Sequence, residues 1–129
     1  MAGETIAIVD DTLANLKALF DALETAGFRV LVYTDGSGAL AVIPQVKPDL
    51  ILLDVLMPGL DGYQVCTQLK ANENTKDIPV LFMSALDEIF DVVNAFAAGG
   101  VDYITKPDLK RRESSFRRCA ARFMMWRLT

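Results

Sequence analysis

Asp10 and Asp11 stand side by side at the end of one apolar run, Asp54 ends another, and Ser84 and Lys106 follow two more. Three carboxylates, a hydroxyl and an ammonium group brought to one place could hold a hard cation and bind a phosphoryl group. Carboxylates about 5 Å apart repel by roughly 3 kcal/mol per pair at an effective dielectric of about 20. A divalent cation that prefers oxygen ligands offsets that repulsion, and magnesium takes one or two carboxylates while keeping several waters. A carboxylate so placed can attack phosphorus and form an acyl phosphate. The transition state spreads negative charge over the equatorial oxygens, where a metal and a lysine stabilise it. Asp54 is the expected nucleophile. It follows the central apolar run directly and precedes Val55-Leu56-Met57-Pro58-Gly59, a turn that would fold over the rim of the pocket.

Such a set requires elements that deliver each group to one edge. Apolar runs recur at Thr5–Val9, Phe28–Tyr33, Leu50–Leu53, Val80–Met83 and Val101–Thr105. They are rich in Val, Ile and Leu almost throughout, as strands covered on both faces are. Between them, Leu13, Leu16, Leu19, Phe20 and Leu23 repeat at helical spacing, with Gly27 as a stop. Tyr63, Val65, Cys66 and Leu69 form a second helical stretch, and Ile89, Val92, Val93 and Phe96 a third, ended by Gly99-Gly100. Asp35–Val46 reads as a weaker helix, with two glycines near its start and Pro44 near its end. Strands alternating with helices give a parallel sheet with helices on both faces. The fold class is therefore α/β, a five-unit doubly wound (βα)5 sheet. Ligands in such sheets sit at the carboxyl ends of the strands, near the switch point in strand order. That is where Asp10-Asp11, Asp54, Ser84 and Lys106 fall.

The 129 residues fit one domain, and 52% apolar with 23% charged residues is an ordinary globular balance. No apolar run is long enough to cross a bilayer, and Met1–Asp10 carries no export signal, so a cytoplasmic protein without membrane contact is expected. Cys66 and Cys119 are far apart, in no metal-like spacing, and read as reduced structural thiols. The chain contains no histidine, which excludes histidine general bases, histidine-ligated zinc and phosphohistidine on this chain. Net charge is −9 through Pro107 and +5 from Asp108 onward. An acidic body argues against direct nucleic-acid binding, while the basic end could touch an acidic partner.

The ordered set Ile8-Val9-Asp10-Asp11, Leu50-Ile51-Leu52-Leu53-Asp54 with Met57-Pro58-Gly59-Leu60-Asp61-Gly62, Met83-Ser84-Ala85, and Asp102-Tyr103-Ile104-Thr105-Lys106-Pro107 resembles the bacterial response-regulator receiver domains. The resemblance covers a motif-bearing body over 4–107, within a single domain of 1–129. It implies a flavodoxin-like sheet with strand order 2-1-3-4-5. It also implies a phosphoacceptor of a two-component system rather than a conventional enzyme, with limited self-phosphorylation and self-dephosphorylation. Asp54 would be the phosphoacceptor. The cation, Mg2+ or Mn2+, would be held by Asp11, Asp54 and the main-chain carbonyl of Leu56, with Asp10 acting through water. Lys106 would bind the phosphoryl group, and Ser84 and Tyr103 would be the switch pair. The donor would be a phosphohistidine on a sensor histidine kinase or phosphotransfer protein, and a phosphorylation-dependent homodimer is a further expectation. The signal would run through the fourth and fifth units, including a helix over Asp87–Ala98. Leu56 and Leu86, each two residues past a site residue, cannot orient an attacking water, so slow self-dephosphorylation is expected.

Each residue has a plainer reading on its own. Asp10-Asp11 could cap the helix starting near Leu13, Asp61-Gly62 reads as a turn, Ser84 could be a helix cap, Tyr103 a half-buried strand residue, and Lys106 a solvated one. Their joint placement at strand ends favours function. The pattern breaks after Pro107, where a basic stretch over about 109–128 keeps an apolar stripe through Leu109, Phe116, Cys119, Ala120, Phe123 and Trp126. Nothing beyond the fifth unit is long enough to fold alone, so the chain reads as a stand-alone regulator or a receiver cut from a larger protein. Two rival readings are a degenerate receiver that only docks partners and a small aspartate-nucleophile phosphohydrolase. The second lacks both the spaced acids and the cap that such enzymes use. A flavin site fails because Asp10-Asp11 would repel the phosphate.

Overall fold

The computed structural model describes residues 4–84 and 102–105. Its elements are β1 (Thr5–Val9), α1 (Leu13–Thr25), β2 (Arg29–Tyr33), α2 (Gly36–Val46), β3 (Leu50–Asp54), α3 (Gly62–Ala71), β4 (Val80–Ser84) and β5 (Asp102–Thr105). All strand pairs are parallel, as the alternating elements predict, and the sheet runs β2-β1-β3-β4-β5, the order that the resemblance implies. The strands coincide with the five apolar runs to within a residue at either end. The helices expected over Asp87–Ala98 and about 109–128, together with Lys106, lie outside the described residues.

Alternation within the buried strands feeds two separate cores. Ala7, Val9, Ile51, Leu53, Val80 and Phe82 pack on one face against Ala39 and Ile43 of α2 and Val65, Cys66 and Leu69 of α3. Ile6, Ile8, Leu50, Leu52, Leu81 and Met83 pack on the other face against Leu16, Leu19 and Leu23 of α1. This division follows from chain direction: β1 to β2 steps one way along the sheet and β2 to β3 the other, so right-handed crossovers put α1 opposite α2 and α3. Every residue of β3 is buried, whereas edge strand β2 exposes Arg29 and Val32. Deleting a fully buried side chain such as Phe82 from this core would cost about 3–5 kcal/mol.

Local chemistry sets the helix ends. Asp35 caps α2 by accepting from the Gly38 amide at 2.6 Å, and Lys47 ends that helix in the left-handed region at φ 49°. Pro44 sits inside α2 near its end, so the helix proposed for Asp35–Val46 forms despite it. Asp61 is more than a turn residue. It caps α3 in a reciprocal box, accepting from the Gln64 amide at 2.8 Å while Gln64 Oε1 accepts from the Asp61 amide at 2.9 Å. Beneath α3, Lys70 Nζ donates to the carbonyls of Lys76 at 3.1 Å and Ile78 at 2.6 Å, tying the loop that feeds β4.

Candidate metal and phosphoryl site

Between β1 and β3 the strand order reverses, so their carboxyl ends open side by side. Val9 pairs with Leu53, and the next residues, Asp10 and Asp54, stand at one rim. An oxygen from each of Asp10, Asp11 and Asp54 lies within 4.8 Å of the others. Asp10 and Asp54 are buried, at 0% and 1% exposure, while Asp11 faces solvent. Two ionised carboxylates about 5 Å apart repel by about 3 kcal/mol at an effective dielectric of about 20, which a cation would offset. Among the described residues the donor set is carboxylate oxygen, without nitrogen or sulfur, and suits magnesium or manganese rather than zinc.

The backbone holds each acid. The Asp10 amide donates to Tyr33 O at 3.1 Å, continuing the β1–β2 ladder one residue past the strand. Asp10 Oδ1 accepts from the Thr12 amide at 2.8 Å, and Asp10 Oδ2 from Asn15 Nδ2 at 3.5 Å. Neither acid is the N-cap of α1. Thr12 holds that position, with no side-chain cap bond, so the capping reading of Asp10-Asp11 is not met. Asp54 Oδ1 accepts from the Leu56 amide at 3.3 Å, and Leu56 is exposed. The Val55 amide donates to Met83 O at 3.0 Å, and the Gly62 amide to Val55 O at 2.9 Å, which anchors the loop after Asp54 at both ends.

Asp10, Asp11, Asp54 and Leu56 are thus brought together at one rim. Ser84 is the last residue of β4, in register with Thr105, and Tyr103 lies in β5 in register with Phe82; their side chains lie outside what is described. Two contributors escaped the sequence reading. Asn15 reaches Asp10 from the third residue of α1, and Gly62 abuts the Asp54–Val55 backbone. The Asp61-Gly62 pair was visible in the sequence; the close approach was not.

A doubly wound α/β domain with an acidic, cation-compatible cluster at its switch point is the class that fold and site define. A family model described as the response regulator receiver domain matches residues 6–113, and the chain belongs to that family. The transcriptional regulator RpaA of Synechocystis is 43% identical over 102 residues, covering 79% of this chain and 42% of that protein. The response regulator PleD of Caulobacter vibrioides is 42% identical over 102 residues, 79% of this chain and 22% of that protein. The chain therefore spans less than half the length of these curated relatives. The receiver domain of sensor histidine kinase PA1611 of Pseudomonas aeruginosa, solved with magnesium coordinated in its active-site cleft, superposes with a TM-score of 0.86 at 30% identity, covering 95% of this chain and 98% of that one. The manganese-bound response regulator Rcp1 superposes at 0.77 with 28% identity, covering 88% of each chain. Among the described residues, no helix is long and apolar enough to cross a membrane. The chain is a receiver domain of the two-component kind.

Proposed function

We propose that this receiver takes a phosphoryl group onto Asp54 from a phosphohistidine on a separate kinase or phosphotransfer protein. An Asp54 carboxylate oxygen bonds to phosphorus as the phosphorus–nitrogen bond breaks, and the imidazole nitrogen keeps the electron pair. The product is an acyl phosphate on Asp54. Asp11, Asp54 and the Leu56 carbonyl would hold Mg2+ or Mn2+, with Asp10 acting through water. When bound, the ion neutralises the acids and draws charge from the phosphoryl oxygens. Lys106 pairs with the phosphoryl group. Ser84 donates to one of its oxygens, and Tyr103 moves into the space Ser84 leaves, which shifts a pre-existing equilibrium.

The observation that carries this reading is the convergence of two buried carboxylates and one exposed one at the β1–β3 switch point. It is tested by incubating the chain with Mg2+ and a small acyl-phosphate donor and reading the intact mass. One added phosphoryl group on the wild type, and none on Asp54→Asn, is the expected result. No gain on the wild type would leave the phosphorylation-independent docking reading.

A further inference from the structure

Asn15 is the third residue of α1, and helical side chains lean toward the N-terminus of their helix. Its carboxamide accordingly reaches back past Thr12 to the strand end, where Nδ2 stands 3.5 Å from Asp10 Oδ2. The other Asp10 oxygen is held by the Thr12 amide at 2.8 Å. Both oxygens of one buried carboxylate therefore meet donors from the N-cap and the third residue of a single helix, and the carboxylate cannot rotate without losing one of these bonds. Asp11, next in the chain, is exposed and carries no such clamp among the hydrogen bonds described.

We propose that Asn15 is a positioning residue for the cation site, acting through Asp10; this rests on the metal reading above. Its chemistry fits that task. A carboxamide donates to a carboxylate while remaining neutral, so it orients Asp10 without competing with a cation for it. A lysine or arginine at the same place would pair with Asp10 and oppose metal entry. An alkyl group would remove this donor from Asp10 Oδ2 and loosen the restraint on the carboxylate. Asn15 thus divides the labour between adjacent acids: Asp10 is fixed, ready to hold a metal-bound water, and Asp11 turns to ligate directly. Partners that orient the groups around a metal commonly change affinity by about tenfold or more when removed.

The experiment titrates wild type, Asn15→Leu and Asn15→Gln with Mn2+ by calorimetry, with thermal unfolding in chelator as the measure of folding. The expected result is about tenfold weaker Mn2+ binding by Asn15→Leu, and near-wild-type affinity in Asn15→Gln, which keeps the donor. Unchanged unfolding in chelator would accompany both. Wild-type affinity in Asn15→Leu, or equal weakening in both variants, overturns the role of Asn15 while leaving the metal site standing. Absence of Mn2+ binding by the wild type overturns the metal site and this inference with it.

Discussion

The backbone of Gly62 lies so close to that of Asp54 that a Cβ at position 62 would overlap the Asp54 carbonyl oxygen and stand 2.9 Å from the Asp54 carbonyl carbon. Because both obstacles are main-chain atoms, no rotamer can relieve the collision. Gly62→Ala must push either α3 or the end of β3 aside, at a cost of about 1–3 kcal/mol. Urea denaturation should show a lower midpoint with an unchanged slope. The same variant should bind Mg2+ more weakly, because Asp54 moves. Wild-type stability and affinity together would show that the approach has slack.

Removing the cation should destabilise the fold. A ligand at about a hundred times its dissociation constant stabilises the native state by about 2.7 kcal/mol, so the melting temperature should rise on adding Mg2+ and fall on chelation. Asp54→Asn removes one buried charge from the cluster. It should be more stable than wild type in chelator, on the order of 1–3 kcal/mol, and respond less to Mg2+. Equal Mg2+ responses in the two proteins would place the ion elsewhere.

Leu56, whose amide donates to the Asp54 carboxylate, is exposed and carries an alkyl side chain. It cannot orient a water for attack on an acyl phosphate. Leu56→Asn supplies a group that can, and should shorten the phosphoryl lifetime by up to about tenfold, below the effect of a full general base. Loss of the added mass after donor removal measures it. A wild-type lifetime shorter than the variant's would contradict the expectation.

Burial pushes the Cys66 thiol up to about 11 from 9.0, opposed in part by the charge of nearby Lys70. The folded state then keeps its proton where the unfolded chain loses it. The stabilising contribution of this group is complete below pH 9 and declines as pH rises toward 11. In a Cys119→Ser background, thiolate absorbance should appear near pH 11 in the folded protein and near pH 9 in denaturant. Alkylation at pH 8 should wait for unfolding. Rapid labelling of the folded protein would mean that α3 opens readily.

The strands, their parallel arrangement and the rim that gathers Asp10, Asp11 and Asp54 were legible in the residues alone. Buried parallel strands are continuous apolar runs, and the geometry of a doubly wound sheet sends whatever follows them to one edge. The role of Asp61 had a signal in the sequence that the turn reading passed over: an acid followed three residues later by Gln64, ahead of an apolar helical stretch, is the pattern of a reciprocal cap. Asn15 and Gly62 carried no such signal. Periodicity tells which side of a helix faces the core, but not that a carboxamide leans back onto a strand end, nor that two backbones meet with no room for a methyl group. Those facts depend on how elements distant in sequence approach each other in space, and only the packed fold decides that distance.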